Sequence, residues 1–176
     1  MIGKFLLVLH FSTEVNISQL NSKNIKRYVQ LLNKTNQFNI RTRRMTTPEF
    51  ESWISSSENN ASTIRLKDKF GDLGIIGLLS YKLSDKELFI EDFVLSCRAA
   101  GRGIEDLMIY QIFENAKSNN INQIVIEAIK TEKNFPILDY LSKNPYLENI
   151  GINKYIIKTR EVNINMPKYI SIIKDI

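Results

Sequence analysis

The stretch Arg98-Ala99-Ala100-Gly101-Arg102-Gly103 holds the residue types best suited to chemistry in this chain. Glycine lets main-chain N–H groups approach a ligand closely, and a helix opening at Ile104 aims its positive end at the same point. Such a turn can bind a phosphate or pyrophosphate without a metal, and Arg98 and Arg102 can add charge-assisted hydrogen bonds. Gly101 and Gly103 equally suit a tight strand-to-helix connection, and spacing alone favours neither use. Scarce residues exclude other chemistries. The one cysteine, Cys97, can form no internal disulfide, which fits a reducing compartment. Together with the one histidine, His10, it cannot build a Cys/His zinc cluster, so no metal is expected. His10 lies in an apolar strand-like run, a poor place for a catalytic triad, and no Gly-Lys-Ser/Thr phosphate loop occurs.

The elements that must position this turn are legible in outline. Phe5 to Phe11 reads as a first strand buried on both faces, too short in its apolar run for a signal sequence. Ile25, Tyr28, Val29 and Leu32 recur with helical spacing. Thr47-Pro48-Glu49 reads as a second helix start, with a capping hydroxyl and an early proline, and Phe50, Trp53 and Ile54 form its apolar face. Strands are expected over 62–70, 75–83 and 87–96, joined by short turns into an antiparallel meander. After the glycine turn, Ile104, Leu107, Met108 and Ile112 mark a helix that Asn119-Asn120 breaks. A strand over 123–129, a helix over 134–142 and a strand over 154–159 complete the order β-α-α-β-β-β-α-β-α-β. This is an α/β (α+β) pattern: a mixed sheet with helices on both faces.

At 176 residues the chain fits a single domain, residues 1–176, with a short tail over 160–176. The hydrophobic share of 43% and charged share of 24% suit a globular protein and exclude collagen and wholesale disorder. Twenty-four basic against nineteen acidic side chains give a net charge of +5, which favours an anionic partner. No run approaches the ~20 apolar residues a bilayer span needs, so no membrane is involved and a cytoplasmic location is expected.

An Arg-x-x-Gly-x-Gly turn after the third strand of a meander resembles the acyl-CoA-binding motif of the GNAT acyltransferase superfamily. The resemblance implies a GNAT-like fold in which this loop, Arg98, Gly101, Arg102, Gly103 and Ile104, cradles the cofactor pyrophosphate. It implies that the pantetheine arm lies between two splayed strands, here 89–96 and 123–129. The amides of Val94, Leu95 and Ser96 would then orient the thioester and stabilise an oxyanion. Asn134 and Tyr140 resemble the C-terminal motif of the superfamily, whose tyrosine often protonates the departing thiolate. Tyr140 also reads simply as an inward residue of an amphipathic helix.

The strings 31–39 (LLNKTNQFN), 65–72 (RLKDKFGD) and 95–105 (LSCRAAGRGIE) resemble, more closely, the C-terminal GNAT-like region of FkbH-type proteins. That resemblance implies loading of a glyceryl unit onto an acyl carrier protein through the carrier's phosphopantetheine. Such proteins usually carry an HAD-type phosphatase region with an Asp-x-Asp motif. No Asp-x-Asp occurs here, so the acyl-handling half is expected, with a separate HAD-type phosphatase as a possible partner. The resemblance also implies an enzyme thioester, which makes Cys97 a candidate nucleophile beside Arg98 and a helix N-terminus. A lone cysteine is equally a small buried hydrophobe. Glu105, in the first turn of the same helix, suits the helix dipole yet would repel a pyrophosphate if it points inward. An inward Glu105 favours the singly phosphorylated arm of a carrier protein, or no thioester ligand at all, over free CoA.

Glu91, Asp92 and Glu127 lie on or beside the two cleft strands, where a carboxylate could deprotonate an amine acceptor. Alternation puts Asp92 with Val94 on one face and Glu91 with Phe93 on the other. Arg41, Arg43 and Arg44, with Lys67 and Lys69, could dock an acidic carrier protein or form ordinary solvated loop charge. Nucleic acid is not expected, because Phe50 and Trp53 fall on an apolar helix face instead of interleaving with the basic residues. Three functions remain open: acyl transfer from a pantetheine thioester on CoA or a carrier protein, a non-catalytic module that docks a carrier protein or an HAD-type partner, and a small-molecule amine N-acetyltransferase. The acyl group, the acceptor and the oligomeric state are not encoded legibly.

Overall fold

The computed structural model of the protein describes residues 13–168 and 170–173. The strand expected over Phe5 to Phe11 lies outside the described residues. Within them the order is β1 (Thr13–Gln19), α1 (Ile25–Lys34), α2 (Thr47–Ile54), β2 (Asn59–Asp68), β3 (Gly71–Ser84), β4 (Glu87–Leu95), α3 (Ile104–Ser118), β5 (Gln123–Glu127), α4 (Phe135–Lys143), β6 (Glu148–Gly151), β7 (Lys154–Lys158) and β8 (Ile170–Ile172). The strands form one mixed sheet in the order β6-β7-β5-β4-β3-β2-β1-β8. β1 through β4 are a meander of antiparallel neighbours, β4 pairs with β5 in parallel across the α3 crossover, and β7 runs antiparallel to β5.

Sequence periodicity sets the layers. The apolar stripe of α1 packs with Phe50 of α2 against Ala61, Leu78 and Val94 on one face of the sheet. Leu107, Met108, Ile112 and Phe113 of α3 and Ile137 and Leu141 of α4 pack on the other face, against Leu79, Phe93 and Leu95. α2 starts one residue earlier than its pattern suggested. Thr46, not Thr47, is the cap, and it and Glu49 exchange hydrogen bonds in a reciprocal capping box. β1, β6 and β8 were not expected. β6 is exposed throughout and β8 has three residues, so neither carries a readable alternation. Within the tail, Ile170–Ile172 form β8, which pairs in parallel with β1. Among the described residues no helix is long and apolar enough to cross a membrane.

A bulge in β4 matters for the site. Ser80 pairs with Asp92 but Tyr81 pairs with Ile90, so Glu91 is the extra residue. The inserted residue lets Leu88 and Ile90 share the α3 face with Phe93 and Leu95, which strict alternation forbids. The expected pairing of Glu91 with Phe93 in one alternating series is thus corrected: Glu91 stands outside the series. In the neighbouring strand, Gly77 of β3 allows close packing. A Cβ there would lie 3.1 Å from Ile64 Cδ1 and 3.2 Å from Ile64 Cβ. Gly77→Ala is expected to lower stability by about 1–3 kcal/mol through overpacking. An unchanged urea midpoint would show instead that Ile64 yields at no cost.

Candidate functional site

β4 and β5 hold parallel register from Glu87 opposite Gln123 to Ile90 opposite Ile126, and then separate. The expected splay is present, at the level of the Glu91 bulge. Main chain from the α1–α2 connection enters it. Leu95 N–H donates to Phe38 O at 2.9 Å, Asn39 bridges Val94 antiparallel, and Ile129 N–H donates to Ile40 O at 2.7 Å. Asn134, fully buried, fastens this ribbon: its Nδ2 donates to Asn39 O at 3.1 Å and Ile129 O at 2.9 Å, and its Oδ1 accepts from Thr131 N–H. Asn39 in turn donates to Thr35 O and accepts from the Arg41 and Thr42 amides. Ser96 N–H donates to Ile76 O at 2.7 Å. The Leu95 and Ser96 amides and the Asn134 side chain, expected to face a ligand, are therefore engaged inside the chain; Val94 is in the same ribbon contact and is buried.

The turn before α3 has the expected backbone. Gly101 and Gly103 have φ of 76° and 80°, the left-handed region that glycine occupies without strain, and Gly103 caps α3. Two of its polar groups are partnered within the chain. Glu105 points inward, 5% exposed, and its Oε1 accepts the Gly101 N–H. Arg102 pairs with the buried Asp68 at 2.6 Å and holds that carboxyl below its ordinary range. Ile104 is a core residue and Arg98 is exposed.

Between this turn, α4 and the entering ribbon lies a cavity of about 590 Å³. Gln37 and Phe38 line it from the ribbon, Cys97, Ala100 and Gly101 from the turn, Glu105 and Asp106 from α3, and Tyr140 and Lys143 from α4. Cys97 is exposed at its wall, with Sγ donating to Gln37 Oε1 at 3.4 Å. Tyr140 OH donates to Asp106 at 2.8 Å and accepts from Asn144 Nδ2 at 3.1 Å. Burial, and then the Asp106 charge, push the Tyr140 phenol far above its ordinary range, so it keeps its proton at any ordinary pH. Its ring packs near Phe38 and Phe93. Cys97 and Tyr140 are thus brought to one cavity from elements more than forty positions apart. Gln37, Phe38, Asp106 and Asn144 complete it and were not anticipated.

No family model matches the chain, and no curated protein matches it. Solved structures do. A chimera of the Vibrio cholerae spermidine N-acetyltransferase with its human counterpart superposes with a TM-score of 0.63 at 12% identity, covering 84% of this chain and 96% of that one. A GNAT-family acetyltransferase of Staphylococcus aureus gives 0.60 at 13% identity, covering 82% and 99%. The Vibrio cholerae spermidine N-acetyltransferase in complex with CoA and spermine gives 0.57 at 11%, covering 83% and 96%. The fold is that of the GNAT acetyltransferases.

On this GNAT fold the strand acids and the basic triplet meet each other. Asp92, with no exposure, accepts from both Arg43 Nε at 3.2 Å and Nη2 at 2.5 Å, from Ser80 Oγ at 2.5 Å and from Tyr28 OH at 3.4 Å. Arg43 also lies 4.7 Å from the Trp53 ring. Arg41 pairs with Glu91 at 2.6 Å and reaches Glu127 at 3.9 Å, while Arg44 donates to Leu32 O at 2.8 Å. One reading is corrected by this geometry. Asp92 is a buried ion-pair partner, with no open path to an amine; Arg41 and Arg43 tie their loop to β4, while the exposed Arg44 ties it to α1. Lys67 and Lys69 lie apart from them, Lys67 against Glu14 and Lys69 over Phe70.

Proposed function

We propose that this chain is an acyltransferase whose donor is a pantetheine thioester seated in the cavity between α3 and α4. The observation that carries the reading is a cavity of ligand size on the GNAT fold, with a thiol and a protonated phenol on its wall. In this reading the Cys97 sulfur attacks the thioester carbonyl, the bond from that carbon to the pantetheine sulfur breaks, and the acyl group rests on Cys97. The proton that Cys97 loses to water is matched by the one that the departing pantetheine sulfur takes from water, while the Tyr140 hydroxyl donates a hydrogen bond to that sulfur as its charge develops. An acceptor nucleophile then takes the acyl group and restores the thiol. The likeness to FkbH-type proteins and the inward Glu105 both favour a donor arm presented by an acyl carrier protein, with a separate HAD-type phosphatase as a further partner. Small acyl groups such as glyceryl suit this scheme.

A second reading, a non-catalytic module that docks a carrier protein, is favoured by the Leu95 and Gly101 amides being satisfied within the chain. Intact-mass measurement separates the two. Incubation with an acyl-pantetheine or an acyl-loaded carrier protein is expected to add one acyl mass to the wild type and none to Cys97→Ser. An unmodified wild type that still binds the holo-carrier protein would favour the docking module; an adduct on Cys97→Ser would place the acyl group elsewhere.

A further inference from the structure

Glu105 is a nearly buried carboxylate placed where the amides of a phosphate turn would meet an anion, and Gly101 N–H donates to it. We propose that Glu105 is a specificity-determining residue, a built-in anion that occupies the turn and excludes donors carrying a pyrophosphate at that end of the cavity. The inference rests on reading the cavity as a pantetheine seat. Three further observations support it. The charged side chains lining the cavity are Glu105, Asp106 and Asp139 against Lys143 alone, and Lys143 already pairs with Asp139 at 2.8 Å. Arg102, a cation of the turn itself, is directed away to Asp68. A Cβ added at Gly101 would meet nothing within 4 Å, so the turn is open to the cavity there and packing does not close it.

The consequence follows from charge alone. A pyrophosphate brought to this turn meets the Glu105 carboxylate, in a cavity whose three acidic side chains face a single cation already paired with Asp139. A pantetheine arm with a single phosphate at its far end places its charge beyond the mouth and keeps its neutral amides inside. Glu105 therefore separates donors by the number and position of their phosphates, whatever acyl group they carry.

The test compares CoA, 4′-phosphopantetheine and inorganic pyrophosphate on the full chain by calorimetry and thermal shift. Wild type is expected to bind CoA about tenfold or more weakly than phosphopantetheine. Glu105→Ala, which vacates the turn, is expected to gain about tenfold or more for CoA over phosphopantetheine. Glu105→Gln keeps the shape and removes the charge, so its gain should be intermediate, and it carries the comparison if Glu105→Ala does not fold. Pyrophosphate alone should raise the melting temperature of Glu105→Ala and leave the wild type unchanged. Wild type binding CoA as tightly as phosphopantetheine or more tightly, or a folded Glu105→Ala with no gain for either CoA or pyrophosphate, overturns the inference. If neither thiol binds either protein, the pantetheine reading fails, and the pyrophosphate result alone decides the role of Glu105.

Discussion

Asp92→Ala is expected to lower the stability of the protein by about 3–5 kcal/mol, the range for breaking a buried ion pair from one side. Asp92 has no exposure, and its two oxygens accept from Arg43, Ser80 and Tyr28. Truncation leaves the Arg43 guanidinium, whose side chain is 21% exposed, with Trp53 as its remaining aromatic neighbour. It also strands the Ser80 hydroxyl and the Tyr28 phenol, which burial and the Asp92 charge together raise well above the ordinary tyrosine range. The Arg41–Glu91 pair offers an internal comparison, because both of its side chains are partly open to solvent. Glu91→Ala should cost no more than about 1 kcal/mol. Urea unfolding of the two variants measures the difference, and equal midpoint shifts would deny Asp92 its special place. Arg43 and Arg41 lie just after the ribbon that enters the splay. Hydrogen exchange at the Leu95 and Ile129 amides should therefore accelerate in Asp92→Ala before the rest of the sheet opens.

That network marks the boundary of what the sequence makes legible. The glycine turn was readable because a left-handed backbone at Gly101 and Gly103 is a local requirement, written in residue type. The meander, the α3 crossover and the two helical layers were readable because each rests on a period of two or 3.6. The ribbon at residues 38–40 has neither property. It is three residues in a polar connection, and its strand-like role exists only because β4 and β5 part beside it. Arg43 and Asp92 are 49 positions apart, so nothing in either neighbourhood announces the pair, and a basic triplet looks like surface charge until its partners are placed. The bulge at Glu91 was hidden for a related reason: one added residue changes which side chains share a face without altering composition. Glu105 shows a partial success. Its conflict with a phosphate was visible four residues after Gly101, but whether it turned inward depended on packing.

Tyr140→Phe is expected to slow acyl transfer by about 10²–10⁴-fold while leaving the affinity for phosphopantetheine within about threefold. The asymmetry follows from where the hydroxyl sits. The ring supplies the packing against Phe38 and Phe93, which phenylalanine retains, whereas the proton belongs to the hydroxyl alone. Burial and the adjacent Asp106 raise the phenol's pKa, so across ordinary working pH the group is fully protonated and its loss cannot be imitated by raising the pH. A departing thiolate of ordinary acidity does not draw a proton from such a phenol. The hydroxyl acts instead by donating a hydrogen bond to the sulfur as charge develops on it during cleavage of the carbon–sulfur bond, so the deficit should appear in kcat. Folding should be little affected: Asp106 is exposed and can hydrate, and the lost hydrogen bonds are worth about 0.5–1.5 kcal/mol each. Donors with better leaving groups discriminate further. An acyl group on an acidic aryl thiol needs no protonation on departure, so Tyr140→Phe should approach the wild-type rate with it. A variant equally slow with both donors would assign Tyr140 to positioning the thioester, and one equally fast with both would leave it a packing residue of α4.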